Sequence, residues 1–125
     1  MRRTTDEGGF LLLETLIAFV IAALALVVLY RAAFDGAAAI AIARAEGAAL
    51  DRAQSRLAAL AAMAPSHRYA HQGQDGGGFT YRETATRLAA PPGAALVGVR
   101  ISVTERWGAR RRGVTLTSII AVPAA

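Results

Sequence analysis

The chain has 125 residues, 54% hydrophobic and 18% charged: too apolar for a disordered tail and too poor in charge for an ordinary soluble domain. Its net charge of +5 rests on 14 arginines, with no lysine, spread from Arg2 to Arg112. Cysteine is absent, which excludes disulfide frameworks, thiolate metal sites and cysteine nucleophiles.

Residues 1–9 form a polar leader in which Arg2 and Arg3 are offset by Asp6 and Glu7. Residues 10–30 are apolar apart from Glu14 and Thr15, and 21 residues match the ~20 a helix needs to cross a bilayer. A lone span must be helical, because lipid offers backbone groups no partner. Arginines ahead of it place that end in the cytoplasm, although Arg31 on the far side weakens the bias.

Residues 31–64 continue as helix, rich in Ala, Leu, Arg, Glu and Gln. Leu50, Ala53, Leu57 and Leu60 form one stripe, with Arg44, Asp51, Arg52, Ser55 and Arg56 facing elsewhere. Gly36 and Gly47 are soft points, and Pro65 ends the element.

Residues 65–125 change grammar. Ser66 to Gly78 reads as loop, ending in the flexible run Gly73 to Gly78. Phe79 to Thr86 suits a strand, and Pro91-Pro92-Gly93 signals a turn. Val97, Val99, Ile101 and Val103 alternate with smaller or polar residues, the pattern of a half-buried strand. Trp107 to Gly113 makes a basic connection to a β-branched strand, Val114 to Val122, in an antiparallel hairpin. The expected fold is α+β: a long N-terminal helix packed by a small antiparallel sheet. About 60 residues cannot bury a large core alone, so Leu50, Leu57 and Leu60 are expected to supply the face on which the sheet packs.

The run Gly8-Gly9-Phe10-Leu11-Leu12-Leu13-Glu14 resembles the processing signal of type IV prepilins and type II secretion pseudopilins. In that family a short basic leader ends in glycine, phenylalanine follows, and a glutamate stands at the fifth mature position. Leu11 replaces the family's commoner threonine. The resemblance implies a pilin-like fold, cleavage between Gly9 and Phe10, N-methylation of Phe10, and a role for Glu14 in assembly register. It implies a prepilin peptidase and N-methyltransferase, other minor pseudopilins, the major pseudopilin and inner-membrane lipid as partners. The C-terminal part would then lie in the periplasm.

Physical chemistry bears on the same residues. A carboxylate near a bilayer centre costs ~2.5–3.5 kcal/mol on insertion scales, so Glu14 needs a partner. Cleavage after Gly9 would create one, the new amine of Phe10. A secretory signal peptide expects an apolar run of about 7–15 residues without a glutamate, shorter than this one. An ordinary signal anchor would keep its leader. The run Ala48 to Leu57 followed by a small sheet resembles the I class of minor pseudopilins. The alternative is a minor pilin of a type IV or competence pilus, contacting DNA through the Arg106–Arg112 cluster.

Other candidates carry less. His67 and His71 are four apart but follow Pro65 in loop-like sequence, so they read as solvated histidines. Asp75 and Glu83 are too few oxygens for calcium, and the glycine run lacks the Lys-Ser/Thr ending of a phosphate loop. Arg106, Trp107, Arg110, Arg111 and Arg112 combine an aromatic with guanidinium groups, yet a solvated hairpin turn explains them and nucleic acid is not the expected partner. No catalytic constellation, metal site or cofactor is expected. The chain reads as an enzyme's substrate rather than an enzyme.

Overall fold

The computed structural model describes residues 4–124, so Arg2 and Arg3 of the expected leader lie outside the described residues. Helix α1 runs from Thr4 to Met63 without a break at Gly36 or Gly47. Ala64 stops it in a left-handed conformation (φ 45°), and its N–H donates to the Ala61 carbonyl at 3.2 Å. Pro65 then prevents continuation.

The chain divides into two compact units, one ending at Ala41 and one starting at Ile42. The first is helix alone. Its large apolar side chains from Phe10 to Tyr30 are all at least 49% exposed, with no polar face opposite. A helix apolar all round needs an apolar environment. It is long and apolar enough to cross a membrane.

In the second unit four strands, β1 (Tyr69–Gln74), β2 (Thr80–Arg87), β3 (Leu96–Trp107) and β4 (Arg112–Pro123), pair antiparallel in chain order. The arrangement is α+β, a long N-terminal helix packed on a four-stranded antiparallel sheet, consistent with a pilin-like fold. Alternation in β3 sends Val97, Val99, Ile101 and Val103 inward, where all are buried. Ala85 of β2 and Val122 of β4 join Val99, Ile101 and Val103 in a core closed by Ala53 and Leu60 of the helix, with Leu57, Leu116 and Ile120 against it.

Three sequence expectations need correction. Residues 69–74 are not loop but strand β1, paired with β2 from Tyr69↔Ala85 to Gln74↔Thr80. As an edge strand that reaches the core through Tyr69, it carries no apolar alternation. Leu50 is 37% exposed and is not part of the seam, whereas Ala49 is fully buried. At 100° per residue the buried face centres between Ala49, Ala53 and Leu60, leaving Leu50 roughly 80° off that centre. On the opposite flank stand Arg52 and Arg56, which turn toward the sheet rather than away from it.

Candidate functional site

Gly9 and Phe10 lie in helical backbone, with Phe10 73% exposed. Glu14 is exposed one turn further on, the only formal charge between Phe10 and Tyr30. The Thr15 hydroxyl donates to the Leu11 carbonyl at 2.8 Å, so that polar group is satisfied within the helix. A Cβ at Gly8 or Gly9 would meet nothing within 4 Å. The same holds at Gly36 and Gly47 of the same helix, where each glycine likewise costs about 1 kcal/mol relative to alanine.

The second unit holds a charged cluster that the sequence reading did not assemble. Arg56 donates to Asp75 through Nη2 (2.8 Å) and Nε (3.2 Å), and to Glu83 through Nη1 (3.0 Å). Its Nε also lies 3.3 Å from Glu105, whose side chain is fully buried. The guanidinium stacks on the Tyr81 ring at 3.4 Å. Gly73, opposite Tyr81 in the register, makes room for that ring: a Cβ there would stand 2.8 Å from the Tyr81 hydroxyl. Tyr69 donates to Glu83 at 3.3 Å, and Arg52 reaches the Asp75 carbonyl while its guanidinium stacks on Phe79 at 4.5 Å.

The run expected to be a flexible connector is instead a built turn. Asp75 donates its N–H to the Phe79 carbonyl at 2.9 Å, and Gly76, Gly77 and Gly78 all take positive φ. Three successive left-handed residues require glycine. The turn swings Asp75 onto the helix, where it meets Arg56.

The balance of charge sets the protonation. The Arg56 hydrogen bonds hold the Asp75 carboxyl below its ordinary 3.8. Burial, with Asp75 nearby, pushes Glu105 above its ordinary 4.5. Neither Glu105 oxygen has a hydrogen-bond partner among the described groups. Burial also raises Tyr69, with Glu83 adding to the effect. This arrangement is a clamp: one cation on the helix gathers carboxylates from the β1–β2 turn, β2 and β3.

The remaining candidates separate. His71 lies in β1, within 3.2 Å of the Tyr81 hydroxyl, while His67 precedes the strand. Among the described residues no group of His, Cys, Asp or Glu is arranged to hold a metal. Of the basic-aromatic cluster, Arg106 and Trp107 end β3, Arg112 starts β4, and the turn between them is Gly108 to Arg111. Trp107 packs on Phe79, ring centroids 6.1 Å apart.

No protein-family model, curated protein or solved structure matches this chain.

Proposed function

We propose that the protein is a prepilin-like subunit, inserted once in the bacterial inner membrane with its sheet in the periplasm, and that it serves as a minor pseudopilin of type II secretion. The observation that carries this reading is the coincidence of the Gly9-Phe10…Glu14 signal with the head of an all-round apolar helix long enough to cross a membrane. On this reading a prepilin peptidase cuts after Gly9 and methylates Phe10. Glu14 then takes a positive amine, its own across the i to i+4 spacing or that of an incoming subunit. A buried ion pair adds little net stability, since desolvation offsets the attraction, but it specifies register. The sheet, closed on the outer helix by the Arg56 clamp, presents surfaces to neighbouring subunits.

The test is recovery of partners from membranes with wild type and Glu14→Leu. Wild type should bring down other pseudopilins, and the variant should insert normally yet lose them. Capture of type IV pilus subunits instead would reassign the system, and full recovery with the variant would remove Glu14 from assembly.

A further inference from the structure

The hydrogens of Arg56 do not reach all of its carboxylates. Two oxygens flank its Nε, one from Asp75 at 3.2 Å and one from Glu105 at 3.3 Å. Nε carries a single hydrogen, and that hydrogen is directed at Asp75. Nη2 serves the other Asp75 oxygen and Nη1 serves Glu83. Glu105 is fully buried, and both of its oxygens lack a hydrogen-bond donor among the described residues. Two carboxylates set against one buried N–H repel each other; a proton between them removes the repulsion and supplies the missing hydrogen bond. Asp75 accepts two Arg56 hydrogens and keeps its charge. Glu105 accepts none, so the proton belongs on Glu105 and is donated to Asp75.

Charge balance points the same way. Arg52 and Arg56 bring two positive charges to Asp75, Glu83 and Glu105, so the cluster is neutral only while one acid is protonated. If Glu105 ionises, one carboxylate is in excess, and the three are not equally fixed. Glu83 and Glu105 stand in strands paired on both sides. Asp75 stands at the head of a turn whose next three residues are glycines of positive φ. Asp75 is the one that can leave.

We propose that the β1–β2 turn is a proton-operated strap: it is closed on the helix while Glu105 is protonated and donates to Asp75, and it opens when Glu105 ionises. Opening parts Asp75 from Arg52 and Arg56 and removes one wall of a cavity of about 450 Å³ between the turn and Asp51, Ser55 and Ala59 of the helix. Burial holds the folded pKa of Glu105 above the ordinary 4.5, so the strap is closed below that folded value and released as pH rises through it. The other polar groups facing the cluster are Asp51 and Arg52 on the helix, Tyr69 and His71 on β1, and Tyr81 on β2; β4 sets only Val114 and Leu116 opposite this stretch. His71 reaches the Tyr81 hydroxyl at 3.2 Å, so a histidine titration is the rival source of any pH response. The proposal stands apart from leader processing, since all of its groups lie between Asp51 and Leu116.

The single tryptophan reports the strap, because Trp107 packs on Phe79 at the end of the turn and Arg52 stacks on the same Phe79 ring. The experiment is acrylamide quenching of Trp107 in the full chain in nonionic detergent, from about pH 4 to about pH 8, with helix content followed by circular dichroism. Quenching should rise over about two pH units, the width of a one-proton step, while helix content holds. Carbon-13 shifts of the labelled Glu105 carboxyl should show the same midpoint, above 4.5. Glu105→Gln, whose amide donates to Asp75 without titrating, should keep the strap closed throughout, and His71→Gln should leave the step in place. Quenching that ignores pH overturns the proposal. So does a step that survives Glu105→Gln or disappears with His71→Gln. Should the glutamine variant of Glu105 fail to fold, the wild-type carboxyl shift decides: a Glu105 that ionises at or below 4.5, or away from the quenching midpoint, overturns the strap.

Discussion

Residues 10–30 and residues 49–60 are both uninterrupted α-helix, yet their side chains are arranged for different surroundings. The first segment is apolar on every side, and each of its large side chains is exposed. The second buries one narrow face, made of alanines at Ala49 and Ala53, Leu60 at its lower end and Arg56 between. Helix propensity is common to both, so it does not decide where each segment resides. The pattern around the helix does. Alanine in the second segment lets the sheet approach closely, and a cation on the same face lets it bring carboxylates along.

The sharpest way to break the comparison is a charge on each side of the outer helix. Leu60→Asp, at a position 3% exposed, should cost about 4 kcal/mol and abolish cooperative unfolding of the sheet followed by Trp107 fluorescence. Leu50→Asp, one face over, should cost less than about 1 kcal/mol. Equal losses would mean that the seam is not where the structure puts it.

Removing the clamp comes next. Arg56→Leu strips Asp75, Glu83 and Glu105 of their shared cation and should cost about 3 kcal/mol in thermal or denaturant unfolding. Adding Glu105→Gln to that variant should recover part of the loss, because one uncompensated buried charge goes with it. An additive double variant would separate Glu105 from the clamp.

A smaller effect of opposite sign is expected at the helix end. Ala64 holds a left-handed conformation that glycine adopts freely, so Ala64→Gly should stabilise by up to about 1 kcal/mol. A lower midpoint would contradict that account of the stop.

The gentlest test is the pH profile. Glu105 titrates above its ordinary 4.5 in the folded chain, so its stabilising contribution is complete below that value and is lost as pH rises through the folded pKa. Asp75 works the other way. Held below 3.8, it stabilises above that pH and the gain is lost on further acidification. Glu105→Gln should therefore flatten the fall in stability as pH rises above 4.5 and leave in place the loss on acidification below 3.8.

Much of the frame was legible from local pattern. The inward run from Val97 to Val103 and the hairpin with β4 follow from period-two alternation, and the helix stop from Pro65. What was illegible is non-local. β1 hides because an edge strand that reaches the core through Tyr69 needs no apolar alternation. Leu50 misled because a stripe of alanine and leucine leaves the helix phase open by one residue, and the larger side chain drew the eye from Ala49. The clamp joins positions 56, 75, 83 and 105, which only the strand register and the glycine turn bring together. One signal was present: Glu105 continues the odd-numbered inward positions of β3, and a carboxylate placed there calls for a cation on the facing helix.

The central claim is that the N-terminal segment is a prepilin signal, and intact mass of the chain extracted from membranes tests it most directly. The account predicts a mature protein beginning at Phe10 and carrying one added methyl group on its amine. A chain that still begins at Met1, or one cut after a later alanine, would contradict it.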